Sequence, residues 1–258
     1  MKIGVVGKGG VGKTSLSGLL CQAYAARGKK VLAVDTDSNP NLAMSLGLDE
    51  KTANEAPLVP RKLVVGLGDG TLSPGALIKE YGLPTPSGVT LLHAMRVDQA
   101  GAGCSCADHY MVRSLLGTAL EEEADITLVD MEAGLEHLSR SGGTLAHAEV
   151  LLMVMEPTRK SIMTASRTMS LAEELGIPRI AGVGNKACLP EDAEFFTGVC
   201  GEYGVPLAGV VPYDASIVAA DRVGTRVELP ASGPVRDTVD ALVDCVESSE
   251  AQRVALEG

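Results

Sequence analysis

No run of lysine or arginine interrupts this sequence, and 33 Asp and Glu against 22 Lys and Arg leave a formal net charge of -11. Such a chain repels a phosphate backbone, so sequence-independent nucleic-acid binding lacks its electrostatic driving force. Long apolar runs are missing too. The opening Met1-Lys2-Ile3-Gly4-Val5-Val6-Gly7 is too short for the apolar part of a secretory signal, and no later stretch reaches the roughly 18 residues of a membrane-crossing helix. Cysteine is sparse: six residues, at 21, 104, 106, 188, 200 and 245, make no disulfide framework at this length. The expected location is the cytoplasm, where a reducing medium keeps them as thiols. Internal repeats at solenoid periods and low-complexity tracts are also absent.

What is present is enough apolar material, 45% of 258 residues, to bury a full core. Short β-branched runs recur at 2–6, 31–35, 89–92, 126–130, 149–155, 180–184 and 207–211. Between or after them, apolar residues at three- and four-residue spacing predict helices over 13–27, 107–123, 159–175, 191–203 and 234–248. This alternation predicts an α/β fold of three layers: a mostly parallel, roughly seven-stranded sheet flanked by helices, with ligands bound beyond the carboxyl ends of the strands. One domain over 1–258 is expected. Prolines 57, 60, 74, 84 and 86 make 49–88 an irregular embellishment with one short helix near 75–80, and the acidic end, 249–258, is expected to fray.

The run Gly7-Lys8-Gly9-Gly10-Val11-Gly12-Lys13-Thr14-Ser15 follows a predicted strand and opens a predicted helix, which is the setting of a phosphate-binding loop. Its glycines let successive N–H groups turn onto the phosphates of ATP or ADP, Lys13 supplies a point charge to the β and γ oxygens, and the Thr14 hydroxyl can ligate Mg²⁺. Lys8 adds a second cation. Two strands then end in carboxylates. The loop Asp35-Thr36-Asp37-Ser38-Asn39-Pro40-Asn41 lies at the carboxyl end of the sheet beside the phosphates, where Asp35 and Asp37 serve catalysis or cap a turn. Ile126-Thr127-Leu128-Val129-Asp130 is an apolar strand whose Asp130 would hold Mg²⁺ through water. Gly134 follows, placed to sense the γ-phosphate so that hydrolysis releases the segment from Met131 to Arg140.

Cys104 and Cys106 stand one residue apart before a predicted helix, whose dipole favours the thiolate that binds metal. Two sulfurs cannot complete a tetrahedral site of four ligands, but two chains about a two-fold axis supply four. His109 either adds a ligand or faces solvent, and the pair itself is otherwise a redox couple or incidental. The remaining cysteines, 21, 188, 200 and 245, read as buried, inert thiols.

Taken together, these residues resemble a known family. A loop written KGGVGKT is similar to the deviant Walker A loop of the MinD, ParA, arsenite and tail-anchor ATPases and the nitrogenase iron protein. Adding the Cys-x-Cys loop and the run from Val129 to Leu138, the whole chain resembles the CooC-type accessory ATPases of nickel insertion into carbon monoxide dehydrogenase. The resemblance implies an ATPase in which Lys8 reaches the nucleotide of a facing subunit, so that ATP binding and homodimer closure are one event. It implies that Asp37 orients the attacking water, with Asp35 nearer the water shell of the metal. Asn185 and Lys186 would border the adenine, with Pro212, Tyr213 and Asp214 along its ring, although each segment also reads as an ordinary strand-to-helix turn. Cys104 and Cys106 of two subunits would share one Ni²⁺ or Zn²⁺, with apo carbon monoxide dehydrogenase as the partner. An iron-protein-like reductase would need a second cysteine between Asp130 and Arg140, and there is none. A MinD-like membrane anchor would need a basic end, where Asp237 to Gly258 has Arg253 as its one cation. The alternative from another class is a nucleotide-switch scaffold or regulator that delivers no metal.

Overall fold

A computed structural model describes residues 1–37, 41–60, 73–94, 117, 123–131, 145 and 147–257, with 249–257 in backbone only. In chain order its elements are β1 (Lys2–Gly7), α1 (Lys13–Ala26), β2 (Val31–Asp35), α2 (Leu42–Ser45), α3 (Glu50–Asn54), α4 (Pro74–Tyr81), β3 (Leu83–Pro84) and β4 (Thr90–His93). They continue with β5 (Ile126–Asp130), β6 (Val150–Met155), α5 (Arg159–Glu174), β7 (Ile180–Ala187), α6 (Asp192–Tyr203), β8 (Leu207–Pro212), α7 (Ala215–Val223) and α8 (Pro234–Glu257).

The strands form one eight-stranded sheet in the order β3-β4-β2-β5-β1-β6-β7-β8. Every pairing is parallel except that of β3 with β4. Central strands such as β2 (VLAVD) and β6 (VLLMVM) are buried at every position, because helices cover both faces of a parallel sheet and leave no wet side to favour polar alternation. Successive side chains of β1 serve opposite faces. Ile3 and Val5 pack with Leu16, Leu20 and Tyr24 of α1 and Leu242 of α8, while Val6 joins Val34, Leu151, Ile162 and Phe196 on the other side.

The structure adds three details to the expected architecture. The sheet has an eighth strand, the two-residue β3, which turns back on β4 through Thr85 to Gly88 and ends the sheet on an antiparallel edge. The segment 49–88 holds α3 and an eight-residue α4, whose Ser73 hydroxyl caps the Ala76 N–H with Pro74 at the first turn, where its missing N–H costs nothing. At the far end, α8 runs through Glu257 where a frayed tail was expected, since nothing from Val235 to Glu257 is Gly or Pro and its last stretch, Glu250 to Glu257, is mostly Ala, Glu, Gln, Arg and Leu, all good helix formers. Helix α7 has no counterpart among the predicted helices. The helix expected over 107–123 lies outside the described residues, save 117 and 123. Among the described residues no helix is long and apolar enough to cross a membrane.

Candidate functional site

The parallel order brings the carboxyl ends of β1, β2 and β5 side by side. Strand β1 lies between β5 and β6, so its outgoing loop opens at the point where the chain departs to both sides of the sheet. Gly7 ends β1 at φ 154°, where a Cβ would stand 2.5 Å from the Val154 carbonyl oxygen. Gly10 and Gly12 take φ of 81° and 93°. These positive angles turn the loop inward before Lys13 starts α1, and they are the reason glycine is required there. Two side chains of β7 fasten the loop from outside: Asn185 Nδ2 donates to the Val11 carbonyl at 2.8 Å, and Lys186 Nζ to that of Gly10 at 2.5 Å. Val11 is fully buried as the anchor, whereas Lys8, Gly9 and Gly10 are exposed. Lys13 is buried and its Nζ donates to the Lys8 carbonyl at 3.4 Å.

Asp35 and Asp130 are register partners on β2 and β5, and both are buried. Burial pushes the Asp35 carboxyl up, and the charge of Asp130 pushes it further. Burial raises Asp130 as well, against the opposing effects of a hydrogen bond from the Thr14 side chain and the charge of Lys13. Ser17 adds a hydrogen bond to Asp130 Oδ1 at 3.1 Å. Asp35 spends both oxygens on the following loop, accepting from the N–H of Asp37 at 3.1 Å and of Leu42 at 3.0 Å. It therefore sets the path of the loop that carries Asp37. Thr36 ties that loop to β5, its hydroxyl donating to the Asp130 carbonyl at 2.9 Å. Two adjacent buried carboxylates and the Thr14 hydroxyl make a hard-oxygen set that suits Mg²⁺, whose charge would relieve the unfavourable burial.

A cavity of about 380 Å³ opens over the loop, lined among others by Lys13, Thr14, Ser15, Asp37 and Asp221. A smaller one of about 40 Å³ adjoins it, lined by Leu16, Leu19, Asn185, Pro212, Tyr213 and Asp214 among others. Gly12, Ser15, Lys186 and Asp221 border both. Gly9, Gly10 and Gly12 to Ser15 of the phosphate loop, with Asp37, Lys186 and the segment Pro212 to Asp214, thus line two adjoining cavities, whereas Gly7, Lys8 and Val11 line neither. Asp214 itself caps α7, accepting from the Ser216 N–H at 2.7 Å and hydroxyl at 2.5 Å, and these bonds hold its carboxyl below the usual range. Cys104, Cys106, His109 and Gly134 lie outside the described residues. Of the four cysteines expected to be buried, Cys21 and Cys200 are, whereas Cys188, after β7, and Cys245, on the outer side of α8, are exposed.

Sequence reasoning missed Ser17, Asn41, Ser45, Asp221 and Thr225. Ser17 carried a signal, since three residues after Thr14 it shares that face of α1. Asn41 enters the sequence reading only as the last residue of the loop from Asp35 and Ser45 not at all, yet they line the large cavity with Thr225. Asp221 sits on α7, and its Oδ2 accepts from the Ser15 hydroxyl at 2.8 Å, a partner 206 residues away that no local pattern reveals.

A glycine-turned loop between a parallel strand and a helix, with a buried carboxylate pair one strand away, defines a P-loop ATPase. The family described as CobQ/CobB/MinD/ParA nucleotide binding domain matches residues 3–227, and the chain belongs to it. It is 34% identical over 237 residues to the carbon monoxide dehydrogenase accessory protein CooC of Rhodospirillum rubrum, covering 87% of this chain and 88% of that one. It is also 34% identical over 242 residues to an ATP-binding protein of Methanocaldococcus jannaschii, covering 89% and 91%. Among solved structures, the septum site-determining protein MinD of Pyrococcus horikoshii, complexed with Mg-ADP, superposes with a TM-score of 0.72 at 21% identity over 95% of both chains. Cobyrinic acid a,c-diamide synthase of Mycobacterium smegmatis, with a bound ATP analogue and magnesium, gives 0.68 at 22% identity over 96% of both. These two show the shared fold.

Proposed function

We propose that the chain is a dimeric maturation ATPase that couples ATP hydrolysis to nickel insertion into carbon monoxide dehydrogenase. The observation that carries this reading is the 34% identity to CooC over 87% of the chain. Cys104 and Cys106 of two copies would hold one Ni²⁺ or Zn²⁺ as cargo, the count of sulfurs being right for a tetrahedral thiolate site. Apo carbon monoxide dehydrogenase is the proposed client and the cytoplasm the proposed compartment.

In this reading the 380 Å³ cavity receives the phosphates and the 40 Å³ cavity the base. The ribose then falls at their junction, where the Asp221 carboxylate can accept from its hydroxyls. Loop amides and Lys13 hold the β and γ phosphates, and Asp37 orients the attacking water. Thr14 would ligate Mg²⁺ and Asp130 would hold it through water, the ion supplying charge neutralisation of the phosphates. The exposed Lys8 is presented to a facing copy. ATP-driven closure that changes the spacing of two Cys-x-Cys loops changes metal affinity, and linkage requires metal to change nucleotide affinity equally.

The test is a Cys104→Ala, Cys106→Ala chain, purified anaerobically beside the unaltered one. Bound metal and oligomeric state are measured with and without ATP and Ni²⁺ or Zn²⁺. Loss of metal and of metal-dependent dimerisation with ATP hydrolysis retained supports the proposal. Unchanged metal content and metal-independent dimerisation leave a nucleotide-switch scaffold.

A further inference from the structure

Directly after Thr225, which lines the large cavity, Arg226 turns to the other side of the same connection between α7 and α8 and enters a separate cavity of about 490 Å³. Gln22, Lys29, Ser87, Arg226, Leu229 and Arg236 are among its lining. Three of its lining side chains are cationic; Arg236 pairs with Asp240 and Lys29 at long range with Glu247, which leaves Arg226 as the lining cation without an ion pair among the described residues.

Arg226 carries the argument. Its Nη2 donates to Gln22 Oε1 at 3.2 Å, while its Nε is buried without a hydrogen-bond partner, and no described carboxylate forms an ion pair with it. A buried guanidinium N–H left unmatched is unfavourable, and because Nε is sealed off, an anion in the cavity would meet the half-buried guanidinium at Nη1, which has no partner among the described residues. Its surroundings are fixed. The buried Gln22 donates from Nε2 to the carbonyls of Gly18 (3.1 Å) and Val227 (2.6 Å) and accepts at Oε1 from the Leu229 N–H at 3.1 Å. The Val227 N–H donates to the Ser45 carbonyl at 3.2 Å, and Arg226 Cδ lies against Gly47, where a Cβ would stand 3.1 Å away. The guanidinium is thus held by a built framework.

Arg236 comes from the first turn of α8, where a cation opposes the helix dipole. An ion pair from its Nε to Asp240 at 2.6 Å sets the direction of its stem. Lys29 makes only a long pair with Glu247, at 3.7 Å, and its side chain is 44% exposed. A phosphoryl group, with nearly two negative charges and three acceptor oxygens, matches three cations lining one cavity better than a single carboxylate does.

We propose that this cavity is a binding site for a small phosphate-bearing anion, held by Arg226 with Arg236 and Lys29 around it. The site is distinct from the phosphate loop: the two cavities share no lining residue, although α1 and the connection 224–229 contribute to both. Pyrophosphate is the probe, titrated calorimetrically into the full chain saturated with Mg-ADP, and separately into a Lys13→Ala chain that lacks the phosphate-loop cation. One pyrophosphate per chain is expected in both. Arg226→Gln and Lys29→Gln should each weaken it by roughly tenfold, the effect of losing a hydrogen bond to a charged group. Lys29 is a surface residue, so its variant remains informative even where Arg226→Gln perturbs folding. Absence of binding in both backgrounds overturns the proposal, as does an affinity that neither substitution changes.

Discussion

Ser17 Oγ donates to Asp130 Oδ1 at 3.1 Å, joining the helix behind the phosphate loop to the carboxyl end of β5. The bond lies wholly inside the protein, where a carboxylate must collect hydrogen bonds to remain charged. Ser17→Ala removes one and leaves Thr14 and Lys13 to support the charge alone. The expected result is a loss of about 1–2 kcal/mol in unfolding free energy and weaker Mg²⁺ dependence of ATP hydrolysis, read by denaturant titration and by rates against Mg²⁺ concentration. Unaltered Mg²⁺ dependence would detach Ser17 from the metal site.

The buried pair Asp35 and Asp130 makes stability depend on pH with a definite sign. Both carboxyls are raised in the folded chain, while in the unfolded chain each titrates near pH ~4. Above that pH the native state binds more protons than the unfolded one, so the contribution of the pair is full in acid and is lost as pH rises through the raised values. Without nucleotide or metal, the unfolding temperature of the unaltered chain should therefore fall, relative to Asp35→Asn, between pH 5 and pH 8. A parallel course of the two curves over that range contradicts the expectation.

Gly12 combines φ of 93° with a Cβ position already occupied by the Asn185 side-chain amide. Gly12→Ala strains the backbone and displaces the group that holds the Val11 carbonyl. Nucleotide binding should weaken by about tenfold or more, with about 1–3 kcal/mol of stability lost, measured by fluorescent-nucleotide titration and thermal unfolding. Gly28, equally left-handed at φ 78° but with nothing within 4 Å, provides the comparison: Gly28→Ala should cost stability alone.

Asp221 stands where the two cavities meet, and its Oδ2 accepts from the Ser15 hydroxyl. If the ribose lies there, Asp221→Asn should reduce the preference for ATP over 2′-deoxy-ATP by about fivefold, near the ~1 kcal/mol of one hydrogen bond. Competition binding measures the ratio. An undiminished preference would place the sugar elsewhere.

The phosphate loop was legible because its requirements are local: glycines where φ must be positive, a lysine and a threonine at the start of a helix, and an apolar strand before them. Strand positions were equally legible, since burial on both sides leaves continuous β-branched runs, and seven such runs fall on strands of the sheet. The edge strand β3 was not, because two residues carry no periodicity. Helix α7 escaped because Ala215–Val223 is short and fully buries none of its residues, only Ile217 and Ala220 packing partly buried against the core.

The sequence by itself determined the α/β class, the phosphate-loop chemistry and the candidate residues from Gly7 to Ser15, all of which depend on neighbours in the chain. Only the tertiary structure decided that Asp35 binds its own loop, that Asn185 and Lys186 clamp the phosphate loop, and that Ser15 meets Asp221 across 206 residues. Side-chain partners of that kind are chosen by how parallel strands are ordered and how helices pack upon them. That order is a property of the whole core, which no window of sequence contains.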